Sequence, residues 1–258
     1  MKKSLFKTLF LAAVGMTVCL GANAQKLGAD AVAATNADPS LQAGDDFYYG
    51  EIFDYVILTA ESGSGEVTYT VAVQGLLPDY PAEEVADLVI PAGDSFTKDG
   101  TTYTFTVVGI TAFEGYEEVK SLTIPASVES VAGVADLAGL ETIYVEAETP
   151  ATAADDAFDD DIYEDVLLVT PEGKMGKYGA NVSSGGWYNF LNVESTSGAK
   201  LGNVNGDAKT NVFDVTALKN YLEDEDEYPL GNEEAGDVNS DGRYSVFDIT
   251  ALKNILEK

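Results

Sequence analysis

Near its C-terminal end the chain writes the same unit twice. NVNGDAKTNVFD (203–214) and DVNSDGRYSVFD (237–248) start 34 residues apart, and each runs into a near-identical decapeptide, FDVTALKNYL (213–222) and FDITALKNIL (247–256). Oxygen-bearing side chains recur at positions 1, 3, 5, 9 and 12 of each stretch. They are Asn203, Asn205, Asp207, Asn211 and Asp214 in the first copy, and Asp237, Asn239, Asp241, Ser245 and Asp248 in the second. This is the ligand spacing of a helix-flanked Ca2+ loop, in which position 7 offers only its backbone carbonyl and so tolerates Lys209 and Arg243. Asn/Asp-Gly turns ahead of surface helices use the same residue types. Such turns do not require five oxygen donors at fixed intervals, twice in register. Two Ca2+ sites are therefore expected.

The opposite end reads as an address. Lys2, Lys3 and Lys7 precede a mostly apolar stretch from Leu9 to Gly21, and Ala22-Asn23-Ala24 is an A-x-A cleavage site, so residues 1–24 are expected to be a secretory signal peptide. Cys19 follows Val18 and not the small residue of a lipoprotein signal, which favours cleavage over a lipid anchor. No later segment reaches the ~18 consecutive apolar residues of a membrane span. Residues 25–46 are small, polar and aperiodic and read as a flexible leader.

Composition narrows the chemistry. The sequence has no histidine, and its single cysteine is Cys19. Ser-His-Asp triads, Cys-His pairs, His-ligated zinc and disulfides of the secreted chain are thereby excluded. Its formal charge of −30 makes nucleic acid and anionic membrane surfaces poor partners. Carboxylate pairs hydrolyse glycosides, but no pair stands out here. Asp155, Asp156, Asp159, Asp160 and Asp161 read as a solvated loop. No catalytic residue is assigned.

Residues 47–195 are rich in strand signals. Tyr55–Leu58 and Val67–Val71 flank the turn ESGSGE (61–66), and Asp99-Gly100 precedes a β-rich run over 101–108. From Ala112 the text repeats. Val119, Leu122 and Ile124 recur 21 residues later as Leu140, Ile143 and Val145, with a looser copy over 157–173. Such a period with an L-x-x-L-x-I core is a leucine-rich repeat pattern, one short strand per turn of a solenoid whose turns must stack. Phe113, Tyr116, Tyr144, Phe158 and Trp187 are expected in the core.

ITAFEGYEEVKSLTIPASVESV, LETIYVEAETP and AFDDDIYEDVLLVTPEGKMGKYGANVSSGGWYNFLNV resemble the BspA-like leucine-rich repeat family of bacterial surface proteins. There the last repeat passes into a closing Trp/Phe-containing segment, matched here by Trp187-Tyr188-Asn189-Phe190. Val134-Ala135-Asp136-Leu137 stands where that family keeps an Ala-Phe pair. The tail over about 201–258 resembles a type I dockerin, including Asp in place of Glu at loop position 12. It departs from that pattern at Asn203 (position 1) and Ala208 (position 6, where the turn favours glycine). The expected fold class is thus multidomain: a β-hairpin and short leucine-rich repeat solenoid over 47–195, a linker over 196–200, and a small α-helical, EF-hand-like paired-loop domain.

A wheel at 100° per residue gathers Val215, Leu218 and Leu222, with Ile249, Leu252 and Leu256, on an inward face. Phe213, Ala217 and Asn220, with Phe247, Ala251 and Asn254, fall opposite. An exposed Phe at equivalent places in two copies suggests a partner surface. By resemblance to dockerins, loop positions 10 and 11 (Val212-Phe213 and Val246-Phe247) select a cohesin, with Lys219 and Lys253 at the rim. The expectation is a secreted or cell-surface, non-enzymatic binding protein that docks by its Ca2+-dependent tail to a cohesin-like or other envelope protein. Two alternatives are a subunit of extracellular polysaccharide degradation and a host-binding adhesin with a calcium-stabilised tail.

Overall fold

The computed structural model describes residues 35–77, 86–113, 116–134, 137–154, 156–207 and 209–258. The expected signal peptide, residues 25–34 of the leader, Ala135, Asp136, Asp155 and Ala208 lie outside them. Two β-sheets carry the body. The first begins with β1 (Asp46–Tyr48), antiparallel to β2 (Phe53–Gly63), which forms a hairpin with β3 (Glu66–Leu76) about Ser64-Gly65. A second hairpin joins β5 (Gly93–Lys98) to β6 (Thr101–Ile110). Its turn residues Asp99 and Gly100 have φ of 52° and 82°, the left-handed pair that matches the twist of flanking strands. β3 and β6 pair in parallel, and the far end of β6 passes the ladder to β8 (Ser130–Val131) and β10 (Thr152–Ala153).

The second sheet is wholly parallel. Its order is β12 (Asn192–Ser195), β11 (Leu167–Thr170), β9 (Thr142–Val145), β7 (Ser121–Ile124) and β4 (Asp87–Val89). Leu88, Leu122, Ile143, Leu168 and Val193 pair in register across all five strands and are all buried. A parallel ladder of alternating strands sends one residue type to one face, so the 21-residue spacing in the sequence is the step from Leu122 on β7 to Ile143 on β9, and the other rungs lie further apart along the chain. β4 and β12 add rungs on either side of the repeats legible from Ala112.

An aromatic cluster closes the stack. Phe158 packs on Trp187 and edge-on to Phe190, and Tyr178 meets Trp187 edge-on. Polar edges are satisfied as well: Trp187 Nε1 donates to Ala151 O at 2.8 Å, and Tyr178 OH donates to Ala147 O at 2.7 Å. These side chains lie on α1 (Asp160–Asp165), α2 (Met175–Gly179), a 3-10 segment (Val182–Asn189) and their flanks. Phe113 is buried as expected and Tyr116 is half-buried. Tyr144 is exposed, because β9 sends it to the solvent face between inward Ile143 and Val145.

Residues 35–46, expected to be part of a free leader, are held on the first sheet. Lys98 Nζ donates to Thr35 O and Ala37 O at 3.2 and 3.1 Å, Tyr69 OH to Asp38 O at 2.7 Å, and Asn36 Nδ2 to Asp46 O at 2.7 Å. Aperiodicity conceals such anchoring, because the bonds go to backbone carbonyls that any sequence provides. The expected linker, 196–200, is a tight turn. Ser195 N donates to Ala199 O at 2.9 Å, and Lys200 reaches Glu194 at 3.2 Å.

Among the described residues, no helix is long and apolar enough to cross a membrane. The tail has α3 (Val212–Glu223), α4 (Glu233–Gly236) and α5 (Val246–Ile255).

Candidate calcium loops and docking surface

Both loops fold by the same hydrogen bonds. At position 12, Asp214 Oδ1 accepts Asn205 N at 3.0 Å while Oδ2 accepts Asn211 N at 2.8 Å. Asp248 does the same with Asn239 N at 3.1 Å and Ser245 N at 2.8 Å. At position 5, Asp207 Oδ1 accepts Lys209 N at 3.0 Å and Asp241 Oδ1 accepts Arg243 N at 2.9 Å. Position 3 closes its own turn, with Asn205 Oδ1 and Asn239 Oδ1 each 2.9 Å from the amide of position 5.

The position-9 residues, Asn211 and Ser245, cap α3 and α5 by accepting from Phe213 N and Phe247 N. With Asp214 and Asp248 answering from the third helical residue, each helix starts in a capping box. The side chains spaced for a cation are therefore also those that start the helices. Asp214 and Asp248 are fully buried. Burial pushes the Asp248 carboxyl above the usual carboxylate range, and the amides of Asn239 and Ser245 oppose that rise. A bound dication would act in the same direction as those amides.

Donor chemistry fits a hard cation. Asn203, at position 1 of the first loop, is only 6% exposed, and its Oδ1 has no hydrogen-bond partner among the described residues. A buried amide oxygen without a donor is costly unless something electropositive meets it. Asp237, its counterpart, accepts from Asp241 N at 3.0 Å and Gly242 N at 2.8 Å. Among the described residues, no three acidic side chains gather into a metal cluster. The donor set is mixed instead, with amides, one hydroxyl and the carbonyls of position 7. That all-oxygen mixture suits Ca2+ and lacks the thiolate and imidazole ligands that softer metals favour. Lys209 and Arg243 are exposed, as a position that gives only its carbonyl permits.

Three features of the loops escaped the sequence reading. Val204 and Val238, both at position 2, are fully buried in the hydrophobic core. Position 4 is left-handed in both copies, with φ of 74° at Gly206 and 55° at Ser240. Ser240 carries a side chain where glycine is preferred, and its Oγ accepts Gly176 N from the body at 3.0 Å. The doubled V-N-G/V-N-S text was the available signal. Gly242 at position 6 has φ of 84°, the conformation expected there.

Val215, Leu218 and Leu252 are buried between the helices, and Ile249 packs against them half-buried. Three expectations need correction. Leu256 is 39% exposed because α5 ends at Ile255, which takes the inward place. Ala251 is buried and Ala217 packs half-buried on the same core, so both turn inward where the wheel placed them outward. Their small side chains let the helices approach, which widens the inward arc beyond the ideal wheel. The outward face retains Val212, Phe213, Val246 and Phe247, all about two-thirds exposed. Lys219, Lys253 and Asn254 are exposed and Asn220 is half-buried.

No curated protein and no solved structure matches the chain. The family model described as Dockerin type I domain matches residues 201–257, the segment that holds both loops and all three helices of the tail. Residues 201–257 are a type I dockerin domain, a calcium-binding module.

Proposed function

We propose that the protein is a secreted or cell-surface, non-enzymatic binding protein whose tail docks to a cohesin-type partner in a Ca2+-dependent manner. The observation that carries this reading is the pair of exposed apolar dipeptides, Val212-Phe213 and Val246-Phe247, at identical places beside two loops built for a cation. Two Ca2+ would bind, held by Asn203, Asn205, Asp207, Asn211, Asp214 and the Lys209 carbonyl in the first loop. Asp237, Asn239, Asp241, Ser245, Asp248 and the Arg243 carbonyl would hold the second. The ion supplies the charge neutralisation that lets these oxygens crowd. Two short helices bury little on their own, so metal binding would contribute to the folding of the tail.

In the same reading, the body is a short leucine-rich repeat solenoid that presents a protein-interaction surface. The five-strand parallel ladder supports this, with the 21-residue repeat separating its β7 and β9 rungs. The test is capture by the intact chain from secreted and envelope fractions of the source organism, in Ca2+ and in EGTA. A cohesin-bearing protein held only in Ca2+ is expected. Capture in which every partner remains bound in EGTA would overturn the docking role and leave an adhesin.

A further inference from the structure

The two loops are alike in sequence and hydrogen bonding, but different parts of the chain support them from behind. The first rests on the segment between the repeats. Asn232 N donates to Val204 O at 3.0 Å, and Gly231 lies so close that a Cβ there would sit 2.5 Å from the Asn205 carbonyl carbon. The second loop rests on the β-body. Gly176 of α2 donates its N–H to Ser240 Oγ at 3.0 Å, and a Cβ on Gly176 would sit 2.7 Å from the Asn239 carbonyl carbon and 2.8 Å from that of Val238. At Gly231 and Gly176 alike, a side chain would overlap backbone at or beside position 3.

Further contacts tie the body to the tail, at the inter-repeat segment and at the end of the second repeat. Glu234 accepts from Gly173 N at 2.9 Å and from Ser197 Oγ at 2.5 Å. Lys258 Nζ donates to Gly179 O at 2.6 Å and to Tyr188 O, and it sits 4.1 Å over the Tyr188 ring.

We propose that the β-body completes the second calcium loop: α2, through Gly176, backs 237–248 as the inter-repeat segment, through Gly231, backs 203–214. Calcium at the second loop and folding of the body are then linked equilibria, each strengthening the other by the same factor. The inference rests on the calcium reading above. Gly176 is a positioning residue, since it reaches candidate ligand Asn239 only through backbone contact.

The test uses the full chain with one loop disabled at a time. In Asp207→Ala, calorimetry reads the second loop alone. Adding Gly176→Val, or separately Lys258→Ala, should weaken Ca2+ binding by about tenfold. It should also shrink the Ca2+-induced rise in the unfolding midpoint followed by Trp187, which is buried beside Tyr178 of α2. In Asp241→Ala, the same substitutions should leave the first loop within about twofold, as distant sites do. Should Gly176→Val fail to fold, Lys258→Ala alone decides, because this exposed side chain leaves no core cavity. Unchanged second-loop affinity, or equal weakening of both loops, overturns the proposal while the calcium reading stands. A parent chain that binds no Ca2+ overturns both.

Discussion

Phe213 and Phe247 occupy the same place in two copies of one loop–helix unit, and they are exposed to 68% and 69%. Each follows an exposed valine and lies one residue before a buried aspartate that ties the loop to its helix. Duplication on this scale presents two equivalent apolar knobs, so one is expected to serve when the other is lost. Phe213→Asp or Phe247→Asp alone should leave Ca2+-dependent docking detectable. The double substitution should abolish it, since a desolvated aromatic anchor is worth about 2 kcal/mol or more. Binding to an immobilised cohesin checks this, and a double variant that still binds excludes the knobs as the contact.

The loops should differ in affinity. The first offers two side-chain carboxylates, Asp207 and Asp214, while the second offers three, Asp237, Asp241 and Asp248. Asn203 contributes a neutral oxygen where Asp237 brings charge. Calcium titration of Asp207→Ala should therefore retain the tighter site, and Asp241→Ala the weaker. The reverse order refutes the account.

Stability should follow the observed helix contacts and not the ideal wheel. Leu218→Ala and Leu252→Ala remove fully buried side chains and should each cost about 2–5 kcal/mol in Ca2+. Leu256→Ala, beyond the end of α5, should stay within about 0.5 kcal/mol. Thermal unfolding of the three variants measures the contrast.

The body should weaken in alkali. Burial pushes Tyr49 and Tyr69 up to about 12, and Tyr55 and Tyr178 higher. A group whose folded pKa lies above its unfolded value of about 10 contributes stability that is complete below that pH. The contribution is lost as pH rises through the folded value. Unfolding midpoints should thus fall between about pH 10 and 12, with part of the tyrosine absorbance titrating late. A single early phase with unchanged stability refutes this.

Much of the tail was legible because its chemistry is local. Ligand spacing and the outward Phe pair both follow from residue type and helical period over a dozen positions. The body's rungs over 119–145 were visible for the same reason, since Leu122 and Ile143 repeat at the interval that stacks them. What stayed hidden depends on contacts distant in sequence. Gly176 meets Asn239 across more than sixty positions, Lys98 anchors Thr35 across a similar span, and neither pattern carries a period. Ala251 was misplaced because an alanine faces inward or outward with equal ease until its neighbours are known. Tyr144 was misassigned for a related reason: aromatic character favours the core, but strand alternation turned it outward.

The most direct test of the calcium reading is a calorimetric titration of the chelator-treated full chain with Ca2+, followed by far-UV circular dichroism. The account predicts two Ca2+ bound per chain and a gain in helical signal that EGTA reverses. A chain that takes up no Ca2+, or whose helices are indifferent to chelation, would contradict it.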